Sequence, residues 1–413
     1  MYLTKAIHIK RNNPAYEELD KMMFLSKNLY NTCLYRERKC YFEKRDKVKA
    51  GIEDDSPWFI KEYDLAKELA HEKQVDFKAL PSAVAQQVCY QVAKEFKAFF
   101  KQKKTNSHAG IPRYKDKEKG RNVLKYSLNG LSAPKLKQGI LKLAKSELKF
   151  PIPDCVPNDD IQEVHFNFTH NQELRMYIIY QVADVKLKKA NSKYAAIDLG
   201  VNNLAALATN SPKIKPIIIN GRPLKSINQE YNRHVADLKA KLSHEKGNRH
   251  VSKQINSLNN KREHRISDYL HKSSCLLVNH LVSNKVNTLV IGYNKDWKQE
   301  INIGHANNQT FVGIPHKRLI DMLQYKCSLA GITCILADEE NTSQCSFFDN
   351  EPIVKADRHL GRRIKRGLYR TSKRQLVNAD VNAALNILKH AIPDVRFSHH
   401  GIEGYANPIR LTA

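Results

Sequence analysis

The spacing of apolar positions changes three times along the chain. Residues 1–10 alternate apolar and polar side chains as a strand does. From 16 to about 45 the period becomes helical, with Leu19, Met22, Met23, Leu29, Tyr30, Cys33 and Leu34 on one face and the small Ser26 as its one polar member. Residues 64–71 and 82–103 predict two more helices. The second follows Pro81, takes Ser82 as its predicted N-cap, and carries Val88, Val92, Phe96, Phe99 and Phe100 on its apolar face. A basic loop broken by glycine and proline follows, His108 to Lys115. Between about 122 and 188 the period is two, with short strands at 123–128, 140–143, 147–150, 162–168 and 175–182, the pattern of a small antiparallel barrel.

After a basic linker at 186–193 the pattern changes again. Residues 194–199 read as a buried strand, and 205–209 with 215–219 as hairpin partners turning at Asn210-Ser211-Pro212. Two long helical patterns occupy 226–284, one on either side of Gly247-Asn248. Apolar strands at 288–291 and 332–337 enclose a helix that starts after Pro315. Three strands, helices, strand, helix, strand, helix is the order of an RNase H-like fold. The chain therefore reads as an α+β multidomain protein, with no internal repeat and no low-complexity tract.

Charge narrows the class of partner. The 413 residues are 41% hydrophobic and 8% aromatic, as in globular domains, and 69 Lys+Arg against 42 Asp+Glu leave a net charge of +27. The excess is spread along the chain rather than gathered in one tail, which favours a polyanion such as nucleic acid. The eight cysteines include no C-x-x-C pair and several lie in apolar runs, so they read as reduced thiols of an intracellular protein. The first ten residues lack a signal-peptide core, and no apolar run approaches the roughly 20 residues of a membrane span. No Walker-type loop and no serine or cysteine nucleophile signature is present.

Two aspartates carry the chemistry. Asp198 ends the buried strand in Ala196-Ile197-Asp198-Leu199-Gly200-Val201-Asn202-Asn203-Leu204. Asp380 stands in the first turn of the apolar-periodic helix Asn378-Ala379-Asp380-Val381-Asn382-Ala383-Ala384-Leu385-Asn386-Ile387, where an N-cap role competes with a ligand role. An acid leaving a core strand, faced by a second acid on a helix, holds divalent cations against a phosphate.

These two motifs together closely resemble the OrfB/TnpB proteins, transposon-encoded RNA-guided nucleases related to type V CRISPR effectors. The resemblance implies a wedge-like β-barrel from 1–15 and 112–190, a helical recognition lobe at 16–111, and a RuvC-like nuclease domain at 191–413 with a helical insertion at about 226–284. It implies a guide RNA from the transposon end and target double-stranded DNA as partners, and DNA phosphodiester hydrolysis by a single RuvC site. The expected cofactor is two Mg²⁺ about 3.5–4 Å apart, with Mn²⁺ as a substitute, bridged by Asp198.

The sequence departs from the family twice. Where the usual glutamate ends the strand at 288–291, this chain has Gly292, which offers no ligand. The next strand ends in Asp338-Glu339-Glu340, and adjacent strands lie about 4.8 Å apart, a gap that a glutamate side chain spans. Glu339 is the first choice for a relocated ligand and Glu340 the second. The alternative is a nuclease-dead, RNA-guided DNA-binding protein. The family's paired C-x-x-C zinc ribbon is reduced to Cys345, and with His359 it falls short of the about four donors a structural zinc needs, so no zinc is expected. The basic segment 355–374, including Arg362, Arg363, Arg366 and Arg370, is expected to meet nucleic acid instead, as are Arg113, Tyr114 and Lys115 in the N-terminal half.

Overall fold

The alternation that opens the chain becomes β1 (Tyr2–Ile9), and the helical stripe after it becomes α1 (Ala15–Lys49), which buries Leu19, Met23, Leu29, Cys33 and Leu34. This is a computed structural model that describes residues 1–52, 55–243, 252–293, 313–365, 367–397 and 402–413. By its own contacts the chain divides into two units, Met1–Ala183 and Asp184–Ala413.

In the first unit, α2 (Glu62–His71), α3 (Val75–Ala79) and α4 (Ser82–Lys103) follow α1. Pro81, not Ser82, occupies the cap position of α4, and no side chain caps that helix; Ser82 is its first helical residue. The locked φ of proline sets the entry to the helix, so the hydroxyl is not needed there. Next come β2 (Leu124–Ser127), α5 (Ala133–Lys137), the hairpin β3 (Ile140–Lys142) and β4 (Lys149–Pro151), then β5 (Ile161–Phe168) and β6 (Leu174–Gln181).

The sheet order is β1-β6-β5-β2, antiparallel throughout, with β3 and β4 pairing only with each other. Among the described residues no ladder joins β1 to β2, so the expected barrel is an open sheet. α1 and α4 pack near β2, and Ser26 Oγ on α1 donates to the carbonyl of Val123, just before β2, at 3.2 Å. Helices and sheet share one apolar core, so the lobe and barrel read separately in the sequence form one unit that ends at Ala183.

The second unit is built on a six-stranded mixed sheet. Its strands are β7 (Tyr194–Leu199), β8 (Asn203–Thr209), β9 (Ile217–Asn220), β10 (Thr288–Gly292), β11 (Thr333–Ala337) and, after three others, β15 (Ile409–Leu411). The order is β11-β10-β7-β8-β9-β15. β7 and β8 pair antiparallel, as do β8 and β9, which confirms the expected hairpin; β10 lies parallel to both β7 and β11, with Gly292 opposite Ala337. Helices α6 (Arg222–Ser243) and α7 (Lys253–Ser283) fall where the two long helical patterns were read; the break read at Gly247-Asn248 lies outside the described residues. Helix α8 (His316–Leu329) connects β10 to β11 in sequence. A small sheet of β12 (Arg362–Lys365), β13 (Leu368–Arg370) and β14 (Leu376–Asn378) leads into α9 (Ala379–Ala391), and α10 (Glu403–Ala406) precedes β15. No described helix is long and apolar enough to cross a membrane.

Candidate functional site

The acids meet at one edge of the large sheet. Ala195, Ala196 and Ile197 anchor β7 in the core, so Asp198 is carried to the strand's end with its side chain half-buried. The chain then turns sharply. A Cβ at Gly200 would lie 2.6 Å from the Asn203 carbonyl, so only glycine fits this turn. His316 Nε2 lies 2.9 Å from the Gly200 carbonyl oxygen, tying the start of α8 to the loop that follows Asp198.

Asp380 arrives from α9. Asn378 caps this helix, its Oδ1 accepting from the backbone N–H of Asp380 at 3.0 Å and of Val381 at 3.1 Å. The cap role weighed for Asp380 in the sequence is thus filled by Asn378, which leaves the Asp380 carboxylate for other partners. Asn203 Nδ2 donates to Asp380 Oδ2, and Arg363 Nη2 on β12 donates to Oδ1 at 3.0 Å.

Glu339 comes from the loop after β11. A Cβ at Gly292 would stand 2.9 Å from Glu339 Oε2 and 2.6 Å from Ile387 Cδ1. The glutamate of one strand end therefore occupies the space that a side chain on the neighbouring strand would fill. Glu340 is exposed, and its backbone N–H donates to Asp338 Oδ1 at 2.9 Å. Of the four acids singled out in the sequence, the structure brings together Asp198, Asp380 and Glu339 and leaves Glu340 outside.

The electrostatics follow from this convergence. Burial, then Asp380, then Glu339 push the Asp198 carboxyl well above the usual range, and only Arg363 opposes them. Burial and the neighbouring Asp338 push Glu339 up to about 7. Three carboxyls, two of which raise the third, beside a single guanidinium, are hard oxygen donors of the type that a divalent cation such as Mg²⁺ takes. Asp198 and Asp380 lie on a cleft of about 910 Å³ that Asn203, Arg222, Arg363 and Arg410 also help to line.

The remaining expectations fall in different places. Arg363, expected on nucleic acid, pairs with Asp380. Arg362 is exposed, Arg370 opposite it is half-buried, and Arg366 lies outside the described residues. In the first unit Arg113 is exposed, and Tyr114 is 47% exposed with the Arg38 guanidinium 5.1 Å from its ring centre. Lys115 turns inward over the Tyr30 ring at 4.6 Å, and Asn31 holds its backbone by hydrogen bonds of 3.0 and 2.9 Å.

For zinc, the structure adds a donor that counting cysteines and histidines missed. Cys345, Glu351 and His359 present atoms within 4.8 Å of one another. The trio is one short of a closed four-ligand site. Glu351 is already engaged, accepting from the Ser346 N–H at 2.6 Å and the Leu360 N–H at 3.2 Å, with His359 Nδ1 at 2.8 Å. It serves as the hydrogen-bonded hub of this loop.

Fold and cleft together define a mixed α/β multidomain protein with an acid cluster at a sheet edge. Residues 177–298 match the family OrfB_IS605, described as probable transposase, and residues 316–387 match the Cas12f1-like TNB domain. Over those residues the chain is similar to the OrfB transposase family and to the Cas12f1-like TNB domain. No curated protein matches it. Among solved structures it is similar to a Cas12f1–sgRNA–target DNA complex at 16% identity, covering 90% of this chain and 82% of that one with a TM-score of 0.49. A CRISPR-Cas12f ternary complex is matched at 15% identity, 93% and 83% coverage and a TM-score of 0.37. The AacC2c1–sgRNA–extended non-target DNA ternary complex is matched at 9% identity, 89% and 64% coverage and a TM-score of 0.37.

Proposed function

We propose that this chain is an RNA-guided DNA endonuclease of a transposable element, with an RNase H-like, RuvC-type nuclease domain in its second unit. The observation that carries the reading is the convergence of Asp198, Asp380 and Glu339, with Glu339 Oε2 in the space beside Gly292. Relocation of the third acid by one strand answers the missing glutamate and favours a working site over a nuclease-dead binder. Guide RNA and target DNA as partners rest on the OrfB/TnpB relationship, on the Cas12f1-like match and on the charge of +27.

Asp198, Glu339 and Asp380 are the groups that would hold two Mg²⁺. Bound there, the ions supply Lewis-acid polarisation of a phosphodiester and a water made nucleophilic near neutral pH. The chain's own residues prepare this chemistry. Asn203 orients the Asp380 carboxylate, and Asn378 relieves Asp380 of capping. Arg363 balances part of the negative charge while the cluster is without a cation. His316 and Gly200 fix the turn from which Asp198 projects.

The test is guide-directed plasmid cleavage in Mg²⁺ by the full chain with its transposon-end RNA, beside Asp198→Ala. Cutting that is lost in the variant supports the reading. Guide-dependent binding without cutting in Mg²⁺ or Mn²⁺ would replace it with a programmable binder.

A further inference from the structure

All six strands of the large sheet bring a residue to the same edge. β7, β10 and β11 are parallel and end there, carrying Asp198, Gly292 and the Glu339 loop. β8 runs the other way and begins there with Asn203, which pairs with Asn220 at the end of β9. β15 is parallel to β9 and ends there too, carrying Arg410 and then Thr412. Acids therefore occupy one half of the edge and amides and arginines the other.

The second half is joined to the first by side chains. Asn203 donates to Asp380 and lies 3.5 Å from Arg410 Nη1; Asn220 Nδ2 donates to Thr412 Oγ1 at 3.2 Å. Arg222 follows directly, where α6 begins, so the positive end of that helix opens on the same cleft. Arg222 and Arg410 are both exposed, and neither has an ion-pair partner among the described residues, whereas Arg363 is held by Asp380. From β7 to β15 are three strand spacings, about 14 Å. Two guanidiniums without an ion-pair partner among the described residues, at that distance from an acid cluster and along one lined cleft, match a polyanion running past the acids rather than a small ligand.

We propose that Arg222 and Arg410 form a phosphate-gripping rim that holds the single-stranded DNA backbone flanking the phosphate presented to Asp198, Glu339 and Asp380. The inference rests on the nuclease reading of the cleft and adds the track by which substrate reaches it. Both guanidiniums stand on the same side of Asp198, towards β9 and β15, so they grip one backbone and the ligand is a single strand. The last strand of the sheet is then part of the substrate site, not only a sheet margin.

The test measures binding of a fluorescent oligothymidine by anisotropy across a salt series, with every variant made in the full chain carrying Asp198→Asn. Arg222→Gln/Arg410→Gln is compared with Lys213→Gln/Lys215→Gln, an equal loss of charge on the exposed β8–β9 turn at the opposite sheet edge. The rim variant is expected to bind several-fold more weakly and to lower the slope of log affinity against log salt by about 1.4, the value for two lost phosphate contacts on a single strand. The turn variant is expected to keep the parent slope, and Arg222→Lys/Arg410→Lys to retain most of it with an unchanged melting temperature. Equal losses in the rim and turn variants, or none in the rim variant, would overturn the proposal. Because this readout does not depend on cutting, a chain that never cleaves DNA would sink the nuclease reading while the rim is still judged on its own.

Discussion

Glu37 in the first unit and Glu339 in the second are both pushed up to about 7 by burial, yet their surroundings differ. Glu37 is fully buried on α1, accepts the Ile60 N–H at 2.9 Å with one oxygen, and has no partner for the other among the described residues. The other charges acting on it, Glu68 and Glu62, are also acids and raise it further. Glu339 acts electrostatically on Asp198, which shares a cleft with Asp380 and Arg363. Burial raises an acid wherever it occurs. What separates a candidate site from a buried acid is its company, two further carboxyls acting on Asp198 beside a cleft.

Substitutions that treat the two acids alike test this contrast. The largest effect is expected for Asp198→Asn, which should lower guide-directed cleavage on the order of 10⁴-fold, as loss of a group acting within a catalytic unit does. Glu339→Gln should follow at about 10³-fold, while Glu340→Gln and Glu37→Gln should each stay within about twofold of wild type, as substitutions away from the chemistry do. A cleavage loss in Glu340→Gln matching that of Glu339→Gln would dissolve the distinction drawn between the paired acids.

Stability should reverse the ranking. In the folded chain burial lets Glu37 keep its proton up to about 7, against about 4.5 for a free glutamate. The stability tied to that proton is complete below about 4.5 and is lost as pH rises through about 7, amounting to about 3 kcal/mol. Glu37→Gln should flatten this dependence in urea denaturation and stabilise the protein above neutral pH. An unchanged pH slope would show that Glu37 titrates normally. Gly292→Ala acts through packing, because its methyl meets Ile387 Cδ1 and Glu339 Oε2. It should cost about 1–3 kcal/mol by overpacking and also slow cleavage by displacing Glu339. A larger side chain tolerated there with full activity would mean that the space beside Gly292 is not reserved for the glutamate.

How far the sequence could be read depended on the range over which each feature is encoded. β7, β8, β10 and β11 are local apolar runs, and their neighbourhood follows from connection rules, so Glu339 was reachable from Gly292 by one strand spacing. Asp198 and Asp380 were legible because each sits in a dense local motif. Arg363 was legible only as part of a basic segment; its pairing with Asp380 depends on the fold of β12 to β14 against the start of α9. Arg410 lay beyond reading because β15 has three residues, too few for a period, and its partner β9 is nearly two hundred positions earlier. The sheet stays open between β1 and β2 among the described residues, and which strands close on which is a tertiary fact that alternation does not record. Glu351 was missed because zinc sites are searched by cysteine and histidine spacing, and a carboxylate hub has no such signature.

The most direct test of the central claim is a Mn²⁺ titration of the full chain followed by electron paramagnetic resonance, with Glu339→Gln and Glu340→Gln in parallel. The account predicts bound Mn²⁺ in wild type and Glu340→Gln and weakened binding in Glu339→Gln. Equal binding in wild type and Glu339→Gln, with loss in Glu340→Gln, would contradict the relocated acid.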